Sequence, residues 1–221
     1  MTGQYAQLVT RSFRRESINE ESDGLLICFI GVDGSGKTTH AINLCKKLQK
    51  NGLNFSYIHI SFSIIQHIPS RFRKPLSKQI NAMTENPSYS KTRKGLVLLF
   101  LGIALADSLI IYLTKLRETI LIYDRYFYDY LVDYFDVCPE WLKRLYIRLI
   151  PKPDLLFFLD VPPTIAYKRN REYPPSFYHS QRRRYFDLLR YLENYNLFII
   201  DTSTSIEEAF SHIYEQVKGY I

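Results

Sequence analysis

The side chains best suited to chemistry follow an apolar run that ends at Ile30. The segment Gly31–Thr38 reads Gly-Val-Asp-Gly-Ser-Gly-Lys-Thr and matches the phosphate-binding loop pattern at every fixed position. Its glycines permit a tight turn in which successive backbone N–H groups face one anion, and the helix that follows adds the positive end of its dipole. Lys37 supplies charge for outer phosphates, and Thr38 a hydroxyl for Mg²⁺. The segment predicts nucleotide binding, but the motif alone does not show whether the protein is a kinase, a GTPase, an ATPase or a regulator.

Asp33 is the one acid within this loop. A carboxylate beside a phosphate site is electrostatically unfavourable unless it has a separate task. Asp33 is therefore expected to point away from the nucleotide and to accept a hydrogen bond from a hydroxyl group of an acceptor. The alternative is that Asp33 only caps the turn.

Two further acids follow apolar runs that resemble buried strands. Asp124 and Arg125 come directly after Ile120–Tyr123, and ligands of parallel sheets bind beyond the carboxyl ends of the strands. Asp124 is expected to hold Mg²⁺, directly or through water, and Arg125 to neutralise a transferring phosphoryl group. A structural ion pair is the alternative. Asp160 is either a second magnesium ligand or a turn-former before two prolines.

A basic stretch follows Asp160 and is interrupted by the segment Pro174–Phe177, a pattern that predicts a helix, a mobile loop at Pro174–Phe177 and a second helix. The first part contains Lys168, Arg169 and Arg171, which we interpret as part of a lid that closes on the nucleotide and excludes water. The second part, Arg182–Arg184, is interpreted as a solvated basic face. A solvated face is the alternative for the first part, and a nucleic-acid patch with interleaved aromatic residues is the alternative for both parts.

The elements that must position these residues alternate along the chain. Apolar runs predict five strands, at Leu25–Ile30, Phe55–Ile60, Ile120–Tyr123, Leu155–Leu159 and Leu197–Ile200. Helical patterns lie between them, at Lys37–Lys50, Gly95–Leu116, Tyr130–Tyr134, Glu140–Leu149, Arg182–Glu193 and Ile206–Val217. This alternation predicts an α/β fold with an open parallel sheet.

Together these residues resemble the thymidylate kinase family of nucleoside monophosphate kinases. The resemblance covers the chain from about Leu25 to its C-terminus, and the matching segments agree in order and rough spacing. They are Gly31–Thr39, Asp124–Tyr126, Pro153–Leu155, Leu159–Pro162, Lys168–Glu172, Ile200–Ser203 and Ile206–Glu208.

The resemblance implies a P-loop NTPase fold, a three-layer sandwich with a five-stranded parallel sheet, in one domain over residues 25–221 after a polar tail, 1–24. It implies ATP- and Mg²⁺-dependent phosphoryl transfer to a nucleoside monophosphate, namely thymidine monophosphate or a related acceptor. The catalytic residues would be Lys37, Asp124, Arg125, Arg169 and Arg171, with Mg²⁺ at Thr38 and Asp124. ATP would be bound by Gly31, Asp33, Gly34, Ser35, Gly36, Lys37, Thr38, Thr39 and Thr202.

The acceptor side departs from the family pattern. The family's Arg-Glu-Pro-Gly segment is replaced by His59–Ser63, its Ala-Asp-Arg by Ala106–Ser108, and its Ser and Ala-Tyr-Gln positions by residues of Phe127–Asp133. The basic stretch Arg71–Lys94 either supplies the missing charge or is a solvated insert. We therefore expect altered acceptor specificity. The alternatives are another phosphate ester or hydroxyl acceptor, or a nucleotide-binding regulator without kinase activity.

The composition agrees with a folded domain whose partners are acidic. The chain has 221 residues, 46% of them apolar, and a formal net charge of +7. ATP and a small phosphorylated acceptor fit this charge, whereas no nucleic-acid fold signature is present. Three cysteines without disulfide or metal spacing, and no apolar signal in residues 1–24, predict a cytoplasmic location. Asp107 inside the apolar run Leu96–Leu113 favours a buried helix, while membrane association and a homodimer stay open.

Overall fold

The computed structural model describes residues 24–59, 102, 120–136 and 138–221 of the chain. Within these ranges the strands are β1 (Leu25–Gly31), β2 (Ser56–His59), β3 (Ile120–Asp124), β4 (Leu155–Asp160) and β5 (Leu197–Asp201). The helices are α1 (Lys37–Lys50), α2 (Phe127–Asp133), α3 (Glu140–Leu149), α4 (Pro163–Arg169), α5 (Pro175–Leu189) and α6 (Ile206–Lys218). Apart from Gly24 and Gly102, the polar tail and the predicted helix Gly95–Leu116 lie outside the described residues, as does the basic stretch Arg71–Lys94.

The five strands form one parallel sheet in the order β2-β3-β1-β4-β5. Ile27 of β1 pairs with Ile122 of β3 on one side and with Leu155 of β4 on the other. Every residue of β1 and β3 is buried, as expected for continuous apolar strands covered on both faces. Because all strands are parallel, their carboxyl ends meet at one edge of the sheet, which brings Gly31 and Asp124 together.

Helices cover both faces of the sheet, and the predicted three-layer α/β sandwich is confirmed. Successive residues of β1 point to opposite faces. Leu26 and Ile30 belong to a core shared with α2, α3 and α5, whereas Ile27 and Phe29 belong to a core shared with α1 and α6. The phosphate loop is therefore held between a fully buried strand and a helix packed on that strand.

The predicted elements within the described residues are present, and two helices begin earlier than predicted. α2 begins at Phe127 rather than Tyr130, since Tyr126 and Asp129 close a capping box at its N-terminus. The loop predicted at Pro174–Phe177 is wrong, because Pro175 begins α5, where the fixed φ of proline suits the first helical turn. α5 also ends at Leu189 rather than Glu193.

None of the helices within the described residues has the length and apolar content that a membrane span requires.

Candidate active site

The phosphate loop has the backbone geometry that its glycines predict. Gly34 and Gly36 have φ angles of 81° and 90°, in the left-handed region that disfavours residues with a Cβ. A Cβ on Gly34 would also lie 2.7 Å from the carbonyl oxygen of Ala166 in α4. The loop is thus packed directly against α4, and Lys37 begins α1 immediately after it.

Lys37 lies inside the loop that it is predicted to serve. Its side chain is buried, and Nζ donates to the carbonyl oxygens of Gly31 and Val32 at 2.6 and 2.9 Å. The nearest carboxylate oxygen, Oδ1 of Asp33, is 3.7 Å away. Burial lowers the pKa of Lys37, and the nearby guanidinium of Arg125 lowers it further. The ammonium group therefore lies among loop carbonyls, within the concave turn of the loop.

Arg125 and Asp33 form an ion pair across the site. Nη2 of Arg125 donates to Oδ1 of Asp33 at 2.5 Å, and the backbone N–H of Asp33 donates to Oε1 of Gln181 at 3.2 Å. Burial alone would lower the pKa of Arg125, but the carboxylates of Asp129 and Asp33 outweigh it and raise that pKa. Arg125 has a φ of 72°, a strained conformation for a residue with a side chain. Both cations of the site thus lie next to Asp33.

Asp124 is fully buried at the end of β3, and its two oxygens have different surroundings. Oδ2 lies 2.6 Å from the hydroxyl of Thr38, 2.9 Å from that of Tyr57 and 2.8 Å from Nδ1 of His59. Oδ1 is buried and has no hydrogen-bond partner among the described residues. An unpartnered carboxylate oxygen beside a threonine hydroxyl is a donor set that suits Mg²⁺, a hard cation that prefers oxygen ligands.

The two arginines predicted for the lid lie in different places. Arg169, at the end of α4, donates to the carbonyl oxygen of Thr202 at 2.9 Å and lies 3.4 Å from that of Gly34. It links the phosphate loop to the end of β5. Arg171 is exposed beyond α4. Thr202 is buried, and its hydroxyl is turned inward and donates to the carbonyl oxygen of Asp160 at 3.0 Å.

The arginines of α5 all have acidic partners, and the interpretation of Arg182–Arg184 as a solvated face holds only for Arg183, which is exposed. Arg182 binds Asp160 through two hydrogen bonds of 2.7 Å, with its side chain 34% exposed. Nε of Arg184 and Nη2 of Arg183 both contact Asp136. Both oxygens of the Asp160 carboxylate are thus bound by one arginine. Asp160 therefore forms a structural ion pair in this structure.

The remaining phosphate-loop residues follow the expected orientation. Ser35 is buried, with a hydroxyl that has no partner among the described residues, whereas Thr38 and Thr39 are exposed at the start of α1. Burial, and secondarily Arg169, lowers the pKa of His40, which lies beneath the loop beside Gly36. The inner side of the loop is therefore buried, whereas Thr38 and Thr39 at the start of α1 are exposed to solvent.

Residues 29–213 match the protein-family model described as thymidylate kinase. The chain belongs to the thymidylate kinase family. A probable thymidylate kinase of Sulfurisphaera tokodaii is 25% identical over 191 residues, which cover 82% of this chain and 90% of that protein.

Solved structures show the same fold at lower identity. A thymidylate kinase from Ehrlichia chaffeensis superposes with a TM-score of 0.57 at 18% identity, over 88% of this chain and 98% of that one. A deoxyadenosine kinase from M. mycoides, described with dCMP and dCDP as products, also has a TM-score of 0.57, at 16% identity over 87% of this chain and 98% of that one. This thymidylate kinase fold is thus shared by kinases with different acceptors, and the fold alone does not select one.

Several residues of the site were missed by sequence reasoning in this thymidylate kinase family member. Tyr57 and His59 contact Asp124 because β2 pairs with β3, with His59 opposite Asp124 in the register. Asp129 is buried and accepts hydrogen bonds from the hydroxyl of Tyr185 at 2.7 Å and from the backbone of Tyr126 at 3.3 Å. Burial raises the pKa of Asp129 to about 6. The position of His59 at a strand end was a usable signal, whereas the contacts of Asp129 depend on how α5 packs.

Proposed function

We propose that the protein transfers the terminal phosphoryl group of ATP to a nucleoside monophosphate. The observation that carries this proposal is the convergence of Lys37, Asp124 and Arg125 around one phosphate loop in a thymidylate kinase family member. A phosphate oxygen of the acceptor attacks the γ-phosphorus, the bond to the β–γ bridging oxygen breaks, and ADP leaves as the new diphosphate forms. The attacking oxygen is already anionic, so positioning and charge neutralisation suffice without a strong general base.

The ATP half of the site is assigned residue by residue. The backbone N–H groups of Gly31–Thr39 bind the phosphates, and Lys37 exchanges its carbonyl contacts for phosphate oxygens by rotation of its side chain. Arg125 neutralises the transferring group, and Arg169 and Arg171 add charge from the side of α4. The backbone around Thr202 lies beside the adenine. The contact of Arg169 with both the loop and Thr202 supports this arrangement.

Thr38 and Asp124 would hold the magnesium ion, directly or through water. Mg²⁺ there would neutralise charge on the β- and γ-phosphate oxygens. The buried, unpartnered Oδ1 of Asp124 supports this assignment. The donors from Tyr57 and His59 hold the carboxylate of Asp124 in a fixed orientation through its other oxygen.

Asp33 is assigned to the acceptor. After Arg125 turns towards the phosphates, the carboxylate of Asp33 would accept a hydrogen bond from a hydroxyl group of the acceptor. The names of the relatives make thymidine monophosphate the first acceptor to test. The departures at His59–Ser63 and Phe127–Asp133 favour a change in acceptor specificity. We further propose a cytoplasmic enzyme, which is supported by the three cysteines, none of which forms a disulfide.

The test is ATP-dependent ADP release against a panel of nucleoside monophosphates, nucleosides and sugar phosphates. At least one monophosphate should raise turnover well above the acceptor-free rate. Lys37→Ala should lower kcat by about 10²–10³-fold. Lys46→Ala, at an exposed position of the same helix, is the matched control and should retain wild-type turnover. If only nucleosides are phosphorylated, the acceptor is a hydroxyl group and the proposed monophosphate acceptor is wrong. If ATP binds but no acceptor raises turnover, the protein is a nucleotide-binding regulator rather than a kinase.

A further inference from the structure

The ion pair of Arg125 with Asp33 joins the group assigned to the transferring phosphate and the group assigned to the acceptor. Nη2 of Arg125 lies 2.5 Å from Oδ1 of Asp33, and the two side chains are 37% and 14% exposed. The same oxygen of Asp33 lies 3.7 Å from Nζ of Lys37. Asp33 therefore lies next to both cations that phosphoryl transfer needs at the phosphates of ATP.

The backbones of both residues are anchored, so side-chain rotation is enough to open the pair. The N–H of Arg125 donates to the carbonyl oxygen of Phe29 in β1 at 3.1 Å. The N–H of Asp33 donates to Oε1 of Gln181 at 3.2 Å. The paired and open states of Arg125 thus differ in the rotamer of one side chain and need no rearrangement of the sheet.

The second acid close to Arg125 is held by other contacts. Asp129 is buried, and its Oδ1 accepts a hydrogen bond from the hydroxyl of Tyr185 at 2.7 Å. Its Oδ2 accepts a hydrogen bond from the backbone N–H of Tyr126 at 3.3 Å. Asp129 is therefore fixed between α2 and α5, and Asp33 is the acid whose contact with Arg125 a ligand can replace.

ATP alone is poorly suited to open the pair. Its γ-phosphate attracts Arg125 and Lys37, but moving both cations leaves the mostly buried carboxylate of Asp33 unpaired beside a polyanion. A nucleoside monophosphate compensates both changes in one molecule. Its phosphate attracts Arg125, and a hydroxyl of its sugar donates to Asp33. Two new contacts then replace the two ends of the ion pair.

We propose that Asp33 is a positioning residue that keeps Arg125 away from ATP until an acceptor with both a phosphate and a hydroxyl group replaces the ion pair. This inference rests on the proposed function and adds a selection of the acceptor to it, because nucleosides and inorganic phosphate each supply one half of the exchange. Water supplies no anionic group. Its attack on the γ-phosphorus, which breaks the bond to the β–γ bridging oxygen and releases ADP, phosphate and a proton, then proceeds without Arg125 and is slow.

The first test is ATP hydrolysis without an acceptor. Asp33→Asn keeps the shape of the side chain but removes the charge that holds Arg125, and it should raise the acceptor-free rate of ADP release about 5–10-fold. In an Arg125→Gln background the same substitution should leave the rate unchanged, because no arginine is released. A merely structural role of Asp33 would lower the rate in both backgrounds.

The matched control is Asp136→Asn, which removes the acid from another contact with arginines, outside the site, and should keep the wild-type rate of hydrolysis. Thermal unfolding by circular dichroism checks that each variant folds. Asp33→Ser replaces Asp33→Asn if the latter does not fold.

The second test is calorimetry of a non-hydrolysable ATP analogue with Mg²⁺, in the presence and absence of acceptor. The monophosphate with the highest turnover in the panel should raise the affinity of the wild type for the analogue about 5–10-fold. Its nucleoside and inorganic phosphate, added singly, should each raise it less. Asp33→Asn should bind the analogue more tightly without acceptor and lose this coupling, because Arg125 is already free.

An unchanged or lower rate of hydrolysis in Asp33→Asn overturns the proposal. An equal rise in the Arg125→Gln background also overturns it, because removal of a charge beside ATP would then be a sufficient cause. Either result leaves the proposed function intact as long as a monophosphate raises turnover. A panel in which no acceptor raises turnover would instead remove the proposed function, and with it the exchange at Asp33, whatever the rate of hydrolysis.

Discussion

Asp124 is the residue at which the magnesium assignment can be tested most directly. We predict that Asp124→Asn raises the Mg²⁺ concentration for half-maximal activity by about 10–100-fold, because it keeps the shape of the side chain but removes its charge. The measurement is a magnesium titration of the initial rate at saturating ATP. Asp136→Asn, an exposed acid paired with Arg183 and Arg184, is the control and should leave the titration unchanged. An unaltered magnesium requirement in Asp124→Asn would remove Asp124 from the metal site.

Asp129 makes stability depend on pH with a sign opposite to that of most carboxylates. Its pKa rises from an ordinary 3.8 to about 6 in the folded protein, since burial opposes the charged form. The folded state therefore holds the proton more tightly than the unfolded state, and Asp129 makes the free energy of unfolding fall as pH rises from about 4 to about 6. The full effect above pH 6 is about 3 kcal/mol.

The variant Asp129→Asn removes this titration, and its free energy of unfolding should lack that part of the pH dependence. Urea denaturation at a series of pH values measures it, by comparing the slopes of wild type and variant between pH 4 and 6. The exposed Asp136→Asn should keep the wild-type slope. A parallel slope in Asp129→Asn would show that the carboxyl of Asp129 does not titrate in this range.

At the scale of single residues, the sequence was a good guide where chemistry is tied to a local pattern. Lys37 and Thr38 were predictable because the phosphate-binding motif fixes both spacing and context. The ion pair of Asp160 with Arg182 was not, since two residues in different elements meet only after α5 packs on the sheet. The contacts of Tyr57 and His59 with Asp124 depend likewise on the register of β2 and β3.

At the scale of elements, the phosphate loop and α4 depend on one glycine. Gly34→Ala combines a positive φ with a Cβ 2.7 Å from the backbone of Ala166, whereas Gly52→Ala has a similar φ of 71° and nothing within 4 Å. We predict that Gly52→Ala costs about 1–2 kcal/mol of stability, the penalty of left-handed backbone. Gly34→Ala should cost about 1–3 kcal/mol more and abolish ATP binding.

Urea denaturation and calorimetry with a non-hydrolysable ATP analogue measure the two effects on the same samples. Gly52→Ala should bind the analogue with wild-type affinity, because Gly52 follows α1 at the end away from the phosphate loop. Equal stability losses in the two variants would show that the contact between the loop and α4 carries no energy.

Among the elements, long patterns with clear end signals were predicted well. α1 and α3 have the predicted bounds, the former because a glycine loop precedes it and Asn51-Gly52 follows it. The start of α5 was missed because prolines were taken as loop formers, although proline is accommodated in a first helical turn. The start of α2 was missed because Asp129 had not been recognised as part of a capping box.

At the scale of the whole molecule, the site proposed for ATP joins parts of the chain that pack on both faces of the sheet. The phosphate loop leads into α1 on one face, and Arg169 ties that loop to the backbone after β5. A ligand held by all of these parts binds only the folded state and stabilises it by mass action. An ATP analogue with Mg²⁺ at about 100 times its Kd should add about 2.7 kcal/mol, which corresponds to a rise in Tm of about 5–10 °C.

Differential scanning calorimetry measures this rise, and inorganic tripolyphosphate with Mg²⁺ separates its two sources. If the phosphate loop alone binds, tripolyphosphate at the same concentration should raise the Tm as far as the ATP analogue does. We expect a smaller rise, because the segment around Thr202 contributes contacts to adenine that tripolyphosphate lacks. Lys37→Ala should reduce both rises, since both ligands place phosphates beside Lys37. Equal rises with the two ligands would contradict the adenine assignment while leaving the phosphate loop intact.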